Sequence, residues 1–352
     1  MKTVDDISIF FKTNLESFVK NYELPHINYV SSLDHPVKLD DTNYMASEIK
    51  DRIHTLRSVA IIRNKTIIYH NPTRHPKYMI EFIVFYTDFL NYVFSTHLSQ
   101  RPGYFDVDIT VLLTAQKKRL PSSSKTALSA LHVNSGVTTH ILGTNKKYVV
   151  VYREEEVFKV LMHELIHAYE LDMTRMRDDM DLPIRAYFHL NNPMRINESL
   201  TDTLACVYNA VMYALLSGSK SPHKVLDIER RYILTKARDI INFLGYTIHP
   251  VKGIIKPPKD TPSIREHTHV TAYYVLKALN WFYLPDFLNR YVPWDESGYT
   301  SIILDNLSHP DFWGFVMQSK KLSNRSTRMS KIDINSVLYC KKSKLLKTLL
   351  SQ

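Results

Sequence analysis

The spacing of apolar residues predicts helices in the first hundred residues of the chain. Over residues 77–98 apolar side chains recur on one broad face, as expected for a helix packed against a core. Residues 45–58 are also predicted to be helical. Residues 1–43 are predicted to be a loosely structured entry segment with one helix at about 7–22.

Beyond these helices the pattern changes to that of strands. From residue 105 to residue 113 polar and apolar side chains alternate, which is typical of a half-buried strand. Two further strands are predicted over residues 132–142 and 147–153. The turn between them contains Gly143 and Asn145 and suits a β-hairpin. The three segments predict a small mixed or antiparallel sheet.

The rest of the chain has mainly helical periodicity. Helices are predicted at about 154–172, 194–217, 222–244 and 266–283, with loops at 173–193 and 249–265. Strands followed by helices indicate an α+β fold. We expect an N-terminal lobe with the sheet over residues 1–172, a mainly helical C-terminal lobe over 173–317, and a basic tail over 318–352.

One run in the predicted helix 154–172 carries metal-binding chemistry, His163-Glu164-Leu165-Ile166-His167. Residues four apart share a helix face, so His163 and His167 can present two imidazole nitrogens to one ion. Zn²⁺ is the ion expected for this pattern, and Glu164 is placed to act as general base without binding it. The alternative is a core helix with two histidines and no metal.

A catalytic zinc site normally has three protein ligands. The metzincin spacing would place a glycine and a third histidine where Glu170 and Met173 stand, which excludes that pattern. Glu170 is too far along the helix to bind the same ion. The next predicted helix offers Glu198 as third ligand and Asp202, four residues on, as the carboxylate that orients a ligand histidine. An exposed acidic pair is the alternative.

The two motifs, HELIH and NESLTD (residues 197–202), resemble those of the gluzincin clan of zinc metallopeptidases, the thermolysin-like group with HExxH followed by NExx[ST]D. The resemblance covers residues 154–210. It implies a zincin-like fold with the active-site cleft between a sheet lobe and a helical lobe. It also implies hydrolysis of peptide bonds, with His163, His167 and Glu198 as zinc ligands, Glu164 as base and Asp202 as orienting residue.

A hydrogen-bond donor besides the metal is needed for the charge that develops on the substrate's carbonyl oxygen. Members of the clan commonly supply a histidine or tyrosine from the C-terminal lobe, and the resemblance points to His269 and Tyr273, which share a helix face. Tyr187 and His189 are rivals for this role. An ordinary core or surface position is the alternative for each of the four side chains.

A polypeptide is the predicted substrate, and whether it is cleaved internally or from an end stays open. Zincin-like sites usually bind the peptide antiparallel to an edge strand. Residues 133–139 fit that place, because Gly136 and small polar side chains leave room for a second backbone. An ordinary strand with a bulge fits equally well.

The charge pattern suggests a second partner. The net charge of +10 comes partly from the tail, with Lys320, Lys321, Arg325, Arg328, Lys331, Lys341, Lys342, Lys344 and Lys347. Two interpretations stay open: the tail binds an anionic partner such as nucleic acid, a membrane surface or an acidic polypeptide, or it is a solvated surface.

Cysteine usage and hydropathy bear on location. Cys206 and Cys340 are too few for a disulfide framework, and we interpret both as buried apolar residues of an intracellular, cytoplasmic protein. No secretory signal or transmembrane segment is predicted. The low glycine content, with many Lys, Ile, Asn and Tyr, would also suit a protein of a large DNA virus or a parasite, so a virion-associated location is a second expectation.

Two other functions stay open beside that of a peptidase. One is a structural protein, associated with a virion or with nucleic acid, that retains a zincin fold. The other is a zinc hydrolase that acts on a non-peptide amide. Glu164 argues against the first, because a purely structural zinc site needs no general base.

Overall fold

The computed structural model describes residues 1–35, 45, 47–123, 126–172, 179–218, 221–249, 254–257, 268–319, 326–333 and 335–336. In these residues twelve α-helices pack with a six-stranded mixed sheet and a small two-stranded sheet. The predicted α+β class is confirmed. The zincin-like arrangement of two lobes around a cleft stays a prediction.

The elements follow one another as strands and helices in the first half and mainly as helices in the second. The helices are α1 Val4–Asn21, α2 Ser47–Lys50, α3 Lys77–Val93, α4 Ala130–Val133, α5 Val157–Ala168, α6 Leu182–Phe188, α7 Asn197–Ser217, α8 Pro222–Phe243, α9 Lys277–Phe282, α10 Leu284–Arg290, α11 Glu296–Leu307 and α12 Pro310–Gln318. The strands are β1 Ile27–Ser31, β2 Ser58–Ile62, β3 Thr66–His70, β4 Asp106–Leu112, β5 Gly136–His140, β6 Lys146–Val151, β7 Thr247–His249 and β8 Ile254–Lys256.

The large sheet has the strand order β1-β2-β3-β4-β6-β5. β4 lies parallel to both of its neighbours, whereas β5 runs antiparallel to β6 and forms one edge. The hairpin predicted around Gly143 is confirmed, and its glycine has a φ of 77°, which a residue with a side chain adopts only at a cost. The edge position of β5 matters for the site described below.

Three of the six strands of the large sheet, β1, β2 and β3, were absent from the sequence prediction. β2 and β3 form a hairpin whose turn holds Arg63 and Asn64 in the left-handed region, with φ of 50° and 56°. Positive φ at both central residues is the geometry of the type I′ turn, and Asn is one of the residues that tolerate it. The prediction of a helix over 45–58 is wrong: only Ser47–Lys50 and a short 3₁₀ turn at Ile53–Thr55 are helical, and β2 begins at Ser58.

Several other predicted boundaries are corrected. The strand predicted over 132–142 is shorter, because Ala130–Val133 is a helical turn and β5 begins at Gly136. The loop predicted at 173–193 contains α6, which starts with a proline in its first turn, a favoured position. The helix predicted at 266–283 becomes regular only at Lys277, after a π-helical turn at Ala272–Leu276.

Helix α5 lies at the centre of the molecule. It packs against β5 and β6 on one side and against α3 and α7 on the others, and all but one of its side chains are buried. The main hydrophobic core surrounds it and continues through α7 and α8. A smaller core on the opposite face of the sheet is formed by Met45, Ile49, Leu56, Val59, Tyr69, Leu112 and Tyr152.

Helix α7 is long and apolar enough to cross a membrane, judged by length and composition, and it is the only such helix among the described residues. Inside the protein, 89% of its apolar window is buried.

Cys206, on the same helix, is free and 1% exposed, as expected, whereas Cys340 lies outside the described residues.

Only part of the predicted basic tail lies in the described residues. Arg328 pairs with Asp333 at 3.0 Å, so its charge is already matched within the protein. Most of the tail's other lysines and arginines lie outside the described residues, and the anionic partner stays a prediction.

Candidate metal centre

The way in which helix α5 ends determines the path of the chain beside His167. The helix stops at Ala168, and Glu170 follows with a φ of 53°. The Leu171 N–H donates to Ile166 O at 2.9 Å and the Glu170 N–H donates to His167 O at 3.1 Å, which is the pattern of a Schellman motif. The predicted extension to residue 172 is therefore wrong, and the chain instead reverses beside His167.

Three ligand atoms converge between α5 and α7. His163 Nε2 and His167 Nε2 are 3.1 Å apart, and Glu198 Oε2 lies 3.4 Å from the first and 3.3 Å from the second. In the described residues this is the one group of three His, Cys, Asp or Glu side chains close enough to hold a metal ion. The three predicted ligands are thus brought together.

Each of the two histidines is oriented by a carboxylate that lies next to its Nδ1 atom. His163 Nδ1 lies 3.0 Å from Asp202 Oδ1, and His167 Nδ1 lies 2.7 Å from Asp172 Oδ2. An ionised carboxylate only accepts hydrogen bonds, so each Nδ1 carries the hydrogen and each Nε2 of a neutral ring presents a lone pair. Asp202 has the position predicted from the sequence, whereas Asp172 was not foreseen.

The donor set and its spacing fit a zinc ion. Zinc binds imidazole nitrogen at about 2.0–2.1 Å, and tetrahedral coordination then separates neighbouring ligand atoms by about 3.3 Å. The measured separations of 3.1–3.4 Å match that value. Three lone pairs facing one another at such distances repel unless a positive charge lies among them. Without a metal that charge is a proton: burial opposes it, but Asp172 and Glu198 raise the pKa of His167 well above its ordinary value.

Two buried lysines surround Asp202. Lys277 Nζ donates to Asp202 Oδ2 at 2.6 Å, and Lys159 Nζ forms an ion pair with Oδ1. All three side chains are at most 2% exposed. Burial opposes the charge on Asp202, but the two ammonium groups outweigh it and hold the pKa of Asp202 well below its ordinary value. The carboxylate that orients His163 is therefore ionised.

Glu164 lies beside the three ligands but is not one of them. The hydroxyl of Thr138, on the edge strand β5, is 2.8 Å from Glu164 Oε2 and 2.9 Å from Glu164 O. Burial raises the pKa of the Glu164 carboxyl, an effect that the neighbouring His163 and His167 counteract. A carboxylate of raised pKa, held by the strand, suits a group that accepts a proton during a reaction.

We expect Gly136→Ala to disturb Glu164 without removing the metal. A Cβ at position 136 would lie 2.6 Å from Glu164 Oε1 and 2.8 Å from Val160 Cγ1, both closer than van der Waals contact allows. Any activity that uses Glu164 should fall by about tenfold or more, while zinc content stays the same. Gly314→Ala is the matched control, because a Cβ there has no heavy atom within 4 Å. Equal activity of the two variants would contradict the expectation.

Among the candidate hydrogen-bond donors to the substrate's carbonyl oxygen, Tyr273 contacts one of the three predicted metal ligands. Its hydroxyl donates to Glu198 Oε2 at 3.1 Å, and burial, reinforced by the charges of Glu198 and Glu164, raises its pKa well above its ordinary value. His269 lies nearby, with Nδ1 accepting from the Arg195 N–H at 3.2 Å. Burial lowers the pKa of His269, so the neutral ring carries its hydrogen on Nε2.

The two rival donors have other surroundings. Tyr187 donates to Leu307 O at 3.2 Å and stacks on Trp313, and His189 ends α6 with a φ of 54°. Glu170 is not at the metal either, since it pairs with Lys147 at 2.9 Å. The prediction that Glu170 lies within the helix is wrong, because α5 ends at Ala168 and Glu170 has a left-handed φ.

The residues missed by sequence reasoning, Asp172, Lys159 and Lys277, share one property: each contacts a residue of helix α7. Asp172 also accepts from Thr201 at 2.9 Å, and so ties the chain after the first motif to the helix of the second. Lys159 and Lys277 looked like ordinary helix lysines. A signal for Lys159 was available, because it stands among apolar residues four positions before His163.

Comparisons of this chain with protein-family models, with curated protein sequences and with solved structures give no match.

Proposed function

We propose that this protein is a zinc-dependent peptidase with His163, His167 and Glu198 as the metal ligands and Glu164 as the general base. The observation that carries the proposal is the convergence of two imidazole nitrogens and one carboxylate oxygen within 3.4 Å of one another, with both imidazoles anchored on carboxylates. The resemblance of the two motifs to those of gluzincins supports the same function.

Each side chain has a distinct task in the proposed reaction. A bound zinc ion would supply a water of lowered pKa and polarise the substrate's carbonyl group. Glu164, held by Thr138, takes a proton from the attacking water and passes it to the leaving amine. Tyr273, a neutral phenol beside Glu198, is the donor for the charge that develops on the carbonyl oxygen. His269 is the second candidate for that role.

The substrate is proposed to lie along β5. This strand pairs with β6 on one side and forms the edge of the large sheet in the part of the chain that the structure describes. An extended peptide can add to such an edge through backbone hydrogen bonds. Gly136 and Thr138 point towards Glu164, so a peptide beside them would lie next to the proposed base.

Zinc analysis combined with an unbiased peptide library tests the proposal. We expect one zinc per chain in the wild type, none in His163→Ala, and cleavage of library peptides by the wild type alone. Replacing His223 by alanine is the matched control, because that exposed histidine pairs with Asp5 and lies outside the three-ligand group. It should keep both zinc and cleavage.

The outcomes separate the alternatives. Wild-type protein without stoichiometric zinc would refute the metal site and the function together. Zinc without cleavage of any peptide would favour the structural protein or a hydrolase of a non-peptide amide. Cleavage that persists in His163→Ala would show that the activity does not come from this centre.

A further inference from the structure

A segment far along the chain enters the site. Residues 326–333, here called the strap, run across the N-terminal end of α5, and Thr327, Met329 and Ser330 are at most 5% exposed. Thr327 N–H donates to Lys118 O at 3.2 Å, and the Tyr274 hydroxyl donates to Thr327 O at 2.5 Å. The strap is therefore held at one end by β-like pairing and by a buried tyrosine.

Two buried carboxylates fix the rest of the strap. Glu156, at the start of α5, accepts from the N–H groups of Met329 and Ser330 at 2.7 and 2.8 Å. Glu229 of α8 accepts from Ile332 N–H at 2.9 Å. Burial opposes the charge on Glu156, but Lys118 and Lys159 outweigh it and lower the pKa of this carboxyl. Hydrogen bonds to an ionised acceptor are the strong ones in proteins, so the backbone at Met329 and Ser330 has little freedom.

The fixed backbone holds the Met329 side chain beside the metal ligands. Lys277 Nζ donates to Met329 O at 3.0 Å, and Lys159 Nζ lies 3.5 Å from Met329 Sδ. Met329 is one wall of a small cavity whose other walls include His163 and Glu164. Val160, Ser135, Gly136 and Tyr273 also line the cavity.

The cavity is small for a site of peptide chemistry. Its volume is about 30 Å³, enough for about two water molecules. The Ser135 hydroxyl is buried in its wall and has no hydrogen-bond partner among the residues that the structure describes. A glycine, alanine or serine side chain would fit this space, and a serine could also pair with Ser135. A leucine or phenylalanine would not fit unless Met329 moved.

We propose that Met329 determines substrate specificity by restricting this cavity to small side chains of a bound peptide. The inference rests on the proposed function, since it assigns the cavity beside Glu164 to the residue next to the cleaved bond. The determinant is thus supplied by the strap, in which Met329 lies 170 residues beyond Lys159 of helix α5, and not by the two motifs.

Binding of peptide hydroxamic acids tests the proposal without requiring turnover. The hydroxamate binds the metal, and the neighbouring side chain is varied from Gly through Ala and Leu to Phe. In the zinc-loaded wild type we expect Ala to bind at least tenfold more tightly than Phe. Met329→Ala should remove most of that preference by strengthening Phe binding about tenfold. Met329→Phe should weaken Ala binding, so the two variants act in opposite directions.

Two controls guard against a loss of structure. Met329→Leu, which nearly conserves volume, should behave as the wild type does. Met317→Ala, at a half-buried methionine of α12, should leave the size preference unchanged. Zinc content and thermal midpoint are measured for every variant.

Each result decides the matter. A wild type that prefers Phe, a preference that Met329→Ala leaves unaltered, or failure of every hydroxamate to bind overturns the role of Met329. A size-dependent preference that responds to Met329 upholds it, even if no peptide is cleaved. In that case the role of Met329 would stand, and only the proposed peptidase activity would be refuted.

Discussion

Glu164→Gln is expected to reduce peptide hydrolysis by about 10²–10⁴-fold while leaving the bound zinc in place. The amide has the shape of the carboxylate and can still accept from the Thr138 hydroxyl, so the geometry is conserved and only the basicity is lost. The proposed metal ligands are His163, His167 and Glu198, none of which changes. Initial rates on a library-derived peptide and zinc content of the same preparations are the measurements.

The matched control for this variant is Glu170→Gln. It makes the same chemical change six residues away, on a side chain that pairs with Lys147 and not with the metal ligands. Its rate should stay within a few-fold of the wild type. If Glu164→Gln retained full activity, Glu164 would not be the base. If it lost zinc, the assignment of Glu164 as a residue outside the coordination sphere would be wrong.

The largest expected effect on stability comes from Asp202→Asn. Lys159 and Lys277 would then be buried without the carboxylate with which both form ion pairs. Removing one partner of a buried ion pair typically costs about 3–5 kcal/mol in the free energy of unfolding. The second effect is on the metal: His163 loses its ionised partner, and losses of this kind lower metal affinity about 10–100-fold.

Two measurements separate these effects. Urea unfolding of the zinc-free proteins gives the stability term, and competition with a chelator of known affinity gives the zinc term. Asp305→Asn is the control, since Asp305 pairs with Arg290 on the surface and should contribute less than about 1 kcal/mol. A small loss in Asp202→Asn, similar to that of the control, would show that the two lysines do not depend on this carboxylate.

The part of the site that the sequence predicts is the part that depends on helix geometry. His163 and His167 are four residues apart on α5, and Glu198 and Asp202 are four apart on α7, so the helical period alone sets each pair on one face. Packing of the two helices then brings the pairs together. The class of the fold was likewise predictable, because the alternation in β4 and the periodicity of α8 are regular.

The missed features depend on contacts that a local pattern does not contain. Asp172 reaches His167 only because the chain reverses at Glu170, a left-handed residue that is not glycine. Periodicity predicts a continued helix there. The three consecutive acids 154–156 suit a helix N-terminus. In the structure, however, Glu154 pairs with His75, and Glu156 accepts a hydrogen bond from the backbone of the strap. Such partners are set by the tertiary fold.

The position of the strap in the chain also determines the order in which parts of the site are completed during synthesis of the protein. Lys159 and Met329 are 170 residues apart, so the ribosome produces helix α5 long before the segment that covers its start. Until the strap arrives, Glu156 and Glu229 have no backbone donors from it, and the cavity beside Glu164 lacks its Met329 wall. Contacts between segments so distant in the chain form late and slowly. A nascent chain would therefore contain both motifs of the proposed metal site before the cavity beside Glu164 was complete.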